Sequence, residues 1–152
     1  MFLHNGLKKT IFTFIFVFTF SNCIASESFL SLKKEKVNVR YGPSFGSPVK
    51  FIYKKIHLPV KQIDQKDNWR RIIDFKNNSG WIHRSQLKKV NSIILYKDEI
   101  LFKKPTKFSK PIAKIKMGRV LIIEKCFKNW CKIKTDKYVG WVEIIKVWGS
   151  IN

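Results

Sequence analysis

The side chains beyond position 26 that could do chemistry are few: Cys126 and Cys131, His57 and His83, and five tryptophans. Nucleophilic catalysis needs a nucleophile, a base and an orienting group within hydrogen-bond reach. No serine stands in a nucleophile-elbow context, and the acidic residues are few and scattered, so no carboxylate pair suggests glycoside hydrolysis. Both histidines read as ordinary surface residues. Cys126 and Cys131 admit a disulfide, a metal site or a redox pair. Two thiols without a nearby His make a poor zinc site, and C-x4-C is not the C-x-x-C of thiol oxidoreductases. The spacing suits opposite strands of a tight hairpin, where close cross-strand pairs match disulfide geometry. Closing so short a loop stabilises by only about 2 kcal/mol on the chain-entropy argument. No cofactor or metal site is expected.

The tryptophans are more informative, because they recur in order. Asn68-Trp69 is followed by Gly80-Trp81, and Asn129-Trp130 by Gly140-Trp141. Such self-similarity marks one supersecondary unit used twice. Trp69 and Ile72 are three apart, so on a regular strand they face opposite sides. If Ile72 fills the core, Trp69 lies outside unless a bulge intervenes, and the same holds for Trp130 and Ile133. A half-exposed Trp beside an ordered loop can accept a sugar ring or an extended peptide; otherwise it covers a barrel end or seals the contact between units. Tyr41 and Phe45, in the loop before residue 49, could line a groove with Trp69, or pack only against their own loop. With Arg70 and Arg71 they form the candidate ligand-binding set. Trp81 and Trp141 read as core.

These residues must be positioned by short alternating segments punctuated by turns every 8–12 positions, the signature of small all-β units. In unit one, strands are expected at 37–40, 49–53, 58–63, 69–75 and 81–83, with a hairpin tip at 64–67. Unit two repeats the order at 100–102, 111–115, 120–124, 132–135 and 140–142. The apolar stretch Ile93-Ile94-Leu95-Tyr96 is too apolar for a solvated linker and reads as a strand joining two units that pack together.

The first residues say where the protein works. Lys8 and Lys9 precede the apolar run 11–20, followed by Ser21-Asn22-Cys23-Ile24-Ala25. That is the layout of a secretory signal peptide, too short for a membrane span, which needs roughly 20 apolar residues. Cleavage is expected after Ala25; a lipoprotein reading on Cys23 fits poorly because Asn22 precedes it. The mature chain 26–152 then carries 29 basic against 10 acidic residues, a net charge near +19, with no transmembrane segment expected. Export to an oxidising compartment makes the Cys126–Cys131 disulfide the default. The charge creates a field able to attract polyanions. In an envelope those are peptidoglycan stem peptides, acidic glycans and lipid head groups. DNA would satisfy the same electrostatics, but export argues against a physiological nucleic acid.

The ordered series Val37-Asn38-Val39-Arg40-Tyr41-Gly42-Pro43-Ser44, Leu58-Pro59-Val60, Trp69-Arg70-Arg71-Ile72 and Gly80-Trp81-Ile82-His83 resembles a bacterial SH3-like (SH3b) domain. With Cys126-x4-Cys131, Trp130, Gly140-Trp141 and Trp148-Gly149, the chain resembles a secreted two-repeat SH3-like family known mainly from alphaproteobacteria. The resemblance covers 30–149. It implies an all-β protein: two tandem SH3-like five-stranded barrels (30–89 and 90–149) after a signal peptide (1–25), in the periplasm. It brings no catalytic residues, and with the repeats filling the expected mature chain no hydrolase domain is expected. Two departures stand out. Unit two has Phe102-Lys103-Lys104-Pro105 in place of Val39-Arg40-Tyr41-Gly42-Pro43, so a groove made by that loop is not carried into it. His57 stands where the family commonly places a turn Gly. The expected function is a non-catalytic binding module for peptidoglycan or another anionic envelope polymer. The alternative is an adaptor for an envelope protein, through the groove or by strand addition.

Overall fold

The computed structural model describes residues 28–135 and 137–151. The expected signal peptide, with Cys23, lies outside the described residues. Two antiparallel sheets of seven strands each follow one another along the chain. The first contains β1 (Ser28–Leu32), β2 (Val37–Arg40), β3 (Val49–Tyr53), β4 (Pro59–Lys66), β5 (Trp69–Ile73), β6 (Ser79–His83) and β7 (Leu87–Lys89), in the order β3-β2-β6-β5-β4-β1-β7. The second contains β8 (Ser92–Leu95), β9 (Glu99–Phe102), β10 (Pro111–Ile115), β11 (Val120–Phe127), β12 (Trp130–Lys134), β13 (Val139–Glu143) and β14 (Val147–Trp148). Its order, β10-β9-β13-β12-β11-β8-β14, is the first order shifted by seven. The protein is all-β, built as two tandem SH3-like units.

The expected strands of each unit are present, and each sheet gains a flanking pair: β1 with β7 in unit one, and in unit two β14 with β8, the strand expected at 93–96. The apolar stretch 93–95 is therefore the opening strand of unit two, paired with β11 on one side and β14 on the other. The hairpin tips also tighten. β4 runs through Lys66, opposite Trp69, leaving a tip of only Asp67 and Asn68. Asp67 (φ 47°) and its counterpart Lys128 (φ 52°) take the left-handed backbone such tight hairpins require.

Period-two alternation fills both cores with matching residues. Leu32, Val39, Val60, Ile72 and Ile82 are fully buried in unit one; Leu95, Leu101, Leu121, Ile133 and Val142 take the same register positions in unit two. Each such side chain contributes about 1.5–3 kcal/mol of transfer free energy. Gly80 sits where β2 crosses β6: a Cβ there would come within 2.4 Å of Val39 Cγ1 and 3.0 Å of the Arg40 carbonyl. Gly140 is held against the Phe102 carbonyl in the same way, at 2.8 Å.

The buried carboxylate of Asp74 is satisfied. Asp74 accepts from the Lys76 and Asn78 amides, the Asn78 side chain and, at 3.0 Å, the Tyr53 hydroxyl. Burial, with the charge of Asp74, pushes the Tyr53 phenol far above its ordinary pKa. The two units touch along β1 and β8, where the Ser31 and Ser92 hydroxyls, both fully buried, lie 2.9 Å apart. Trp148 packs edge-on against Phe29 at 5.2 Å and donates from Nε1 to the Pro59 carbonyl at 2.9 Å. Cys126 and Cys131 stand directly opposite each other on β11 and β12, 4.0 Å apart at Cα, and are joined by a disulfide.

Candidate ligand-binding face

The loop 41–48 between β2 and β3 is pinned by its own hydrogen bonds. The Tyr41 amide donates to the Pro48 carbonyl at 3.1 Å, the Ser44 and Ser47 hydroxyls meet at 2.8 Å, and Arg40 Nη1 donates to the Ser47 carbonyl at 2.6 Å. Gly42 admits this closure, because a Cβ there would lie 2.7 Å from Ser47 Oγ. The loop arches over the outer face of the sheet, where β5 and β6 place two adjoining cross-strand pairs: Trp69 opposite His83, and Arg71 opposite Trp81.

At the first pair, Phe45 descends from the loop onto both rings, 5.0 Å from Trp69 and 5.2 Å from His83; Trp69 and His83 are 5.3 Å apart. Trp69 faces away from Ile72, as the spacing requires, yet it is only 7% exposed whereas Phe45 is 69% exposed. The half-exposed platform expected at Trp69 is thus corrected: Phe45 covers it, and Phe45 is the surface a ligand would meet. His83 Nδ1 lies 2.8 Å from Ser85 Oγ and caps a single 3-10 turn, Arg84–Gln86. Its ring is packed by Trp69 and Phe45, so the His–Ser contact is a cap.

At the second pair, Trp81 is half-buried. This corrects its reading as core: Gly80 and Ile82 point inward, so Trp81 must point out. Its register neighbours are Arg71 on one side and Arg40 on the other. Together with Tyr41, Lys50 and Ser79 they line a cleft of about 270 Å³. Lys50 Nζ stands 5.6 Å from the Tyr41 ring and donates to the Ser79 carbonyl at 3.0 Å. The Arg71 side chain makes no hydrogen bond or ion pair among the described residues. Of the five expected site residues, the structure brings Tyr41 and Arg71 into this cleft and stacks Phe45 on Trp69 beside it. Arg70 is not part of the face, because it alternates away from Arg71. Its Nη1 donates to the Asp67 and Trp69 carbonyls, both at 2.9 Å, bracing the hairpin tip. Arg40, Lys50 and Trp81 were missed, and alternation around Gly80 was the signal that would have found Trp81.

Unit two carries the same frame with other side chains. Its loop 103–110 repeats the hydrogen bonds of loop 41–48, with Lys103 donating to the Lys110 carbonyl at 3.0 Å and Ser109 to the Thr106 carbonyl at 3.1 Å. In register, Lys107 takes the place of Phe45 and Glu143 that of His83, and the two form an ion pair at 2.8 Å. That pairing raises the Lys107 pKa. Trp130 packs against Phe102 at 5.7 Å, and Lys132, the counterpart of Arg71, is paired with Glu124 at 3.2 Å. Among the described residues, no group of three or more His, Cys, Asp or Glu could hold a metal, and no helix is long and apolar enough to cross a membrane.

Two SH3-like barrels in tandem, one bearing an aromatic and cationic cleft under its long loop, define a double SH3-like protein. The model of the bacterial SH3 domain family matches residues 33–89 and again 97–149, and the chain belongs to that family. Bacterial SH3 domains are commonly cell-wall-binding modules and are generally non-catalytic. No curated protein matches the chain. Among solved structures, it is similar to NlpC2 from Trichomonas vaginalis at 10% identity and a TM-score of 0.36, covering 78% of this chain and 46% of that one. It is also similar to NlpC1 from the same organism at 10% identity and a TM-score of 0.34, covering 81% and 46%. The chain thus spans under half the length of either. Family and disulfide together fit an extracellular or periplasmic protein.

Proposed function

We propose that the protein is a non-catalytic periplasmic binding module that recognises peptidoglycan or another anionic envelope polymer through the outer face of unit one. The observation that carries this reading is Arg71, an exposed cation left without a partner beside Trp81 and Tyr41, whereas its counterpart Lys132 is neutralised by Glu124. An aromatic face supplies contact with a sugar ring or an extended peptide, and the unpaired guanidinium supplies a bidentate partner for a carboxylate. The excess of basic side chains draws the polymer in. The remaining reading is an adaptor for an envelope protein; it is supported by β3, which ends the first sheet and offers an edge for strand addition.

The test is retention of residues 26–152 on purified peptidoglycan sacculi across a salt series, with Tyr41→Ala alongside. Exposed charges are screened within about 8–10 Å at ordinary ionic strength, so attraction by charge alone vanishes in moderate salt. Retention should persist there and fall about five- to tenfold with Tyr41→Ala. Retention lost in moderate salt, equally for both proteins, would reject wall recognition; a discrete crosslinked partner would then favour the adaptor.

A further inference from the structure

On one side of their junction the two barrels leave an open cleft of about 910 Å³. One wall is formed by Lys36 and by Lys54 and Lys55 of the turn between β3 and β4. The other is formed by Lys116 and Arg119 of the turn between β10 and β11, with Lys134 from the end of β12. Lys116 is engaged by Asp98 at 3.1 Å. The other five cations make no side-chain hydrogen bond or ion pair among the described residues, and Glu35 is the one carboxylate of the lining. Like charges facing one another across a concave space repel, and their fields sum in the gap rather than dispersing into solvent. A bound polyanion removes that repulsion.

A second observation at the same place is His57. In unit two the equivalent turn residue is Gly118, whose φ is 79°; both amides donate to matching carbonyls, His57 to Leu32 and Gly118 to Leu95. His57 holds a φ of 62°, where a non-glycine residue is disfavoured, and it buries an Nδ1 that has no hydrogen-bond partner. Its carbonyl accepts from the Ser92 hydroxyl, so the residue is locked against unit two. Burial and nearby Lys88 lower its pKa, and the residue lines the cleft, where an imidazole can exchange a hydrogen bond with a hydroxyl.

We infer that the inter-barrel cleft is a second binding site and that it takes a strand of an acidic glycan, whose acid groups meet the lysines and arginine and whose hydroxyls meet His57. A flat anionic membrane cannot reach cations that line facing walls. The lining holds no Phe, Tyr or Trp, so unstacked bases would find no stacking platform of the kind single-stranded nucleic acids use. The volume suits a few sugar rings. The site stands apart from the unit-one face and does not depend on it.

The test measures binding of a short polygalacturonate oligomer in moderate salt, using two variants that each lose three positive charges. The combined Lys54→Ala, Lys55→Ala and Arg119→Ala variant should lose affinity at least about tenfold, and the Lys103→Ala, Lys104→Ala and Lys110→Ala control less than about threefold. All six residues are exposed, so both variants should fold. His57→Gly, which leaves the net charge unchanged, should weaken the oligomer about two- to fivefold. Tyr41→Ala should leave it within about twofold, which separates this site from the unit-one face. Equal losses in the two triple variants would overturn the site. Tighter, cleft-dependent binding of oligothymidylate or phosphatidylglycerol vesicles would overturn the glycan as its occupant.

Discussion

Unit one and unit two bury nearly the same ladder of residues and diverge on the sheet face above it. Inside, Val39, Val60, Ile72 and Ile82 answer to Leu101, Leu121, Ile133 and Val142. Outside, Phe45 stacked on Trp69 and His83 answers to an ion pair, Lys107 with Glu143. Two copies of one frame can therefore keep their fold through the inward set and separate in role through the outward set. Unit two has closed its face with partnered charges and added a disulfide; unit one has left an aromatic ring and a guanidinium available.

The likeness of the two units is challenged most severely in their cores. If those cores are equivalent, Ile72→Ala and Ile133→Ala should each cost about 2–5 kcal/mol in urea unfolding. A cost confined to one unit would mean that the shared ladder is not what holds both. Next, replacing Cys126 and Cys131 by Ser should remove about 2 kcal/mol, and only from unit two. Equal loss of hydrogen-exchange protection in both units would show that they unfold as one. The mildest change in stability, under about 1 kcal/mol, should come from Phe45→Lys with His83→Glu, which transplants the surface ion pair into unit one. That double variant should nonetheless lose retention on sacculi, dividing folding from recognition.

Much of this was legible in the sequence. The repeated Asn-Trp and Gly-Trp pairs gave the duplication, and C-x4-C around Trp130 gave the hairpin that the disulfide closes. The flanking strands were not legible. Leu87–Lys89 and Val147–Trp148 are too short to show a period, and Ser28–Leu32 directly follows the expected signal peptide. The site was half legible. Spacing put Trp69 opposite Ile72 and hence outside, but no local pattern reveals that a residue 24 positions earlier folds down to cover it. Arg70 and Arg71 look alike in sequence, and only alternation against Ile72 sends one to the hairpin tip and the other to the cleft. Trp81 was misread because a Gly-Trp pair invites a core reading, when it is the glycine whose inward position is required.

Whether unit one carries the recognition face and unit two does not can be measured at equivalent positions. Tyr41→Ala with Arg71→Ala in unit one is set against Lys103→Ala with Lys132→Ala in unit two, each retained on sacculi in moderate salt. The second pair removes more positive charge, so a response to charge alone would favour the larger loss there. If recognition belongs to unit one, its pair loses about tenfold or more and the unit-two pair less than about threefold. Equal losses, or a larger loss from unit two, would contradict that assignment.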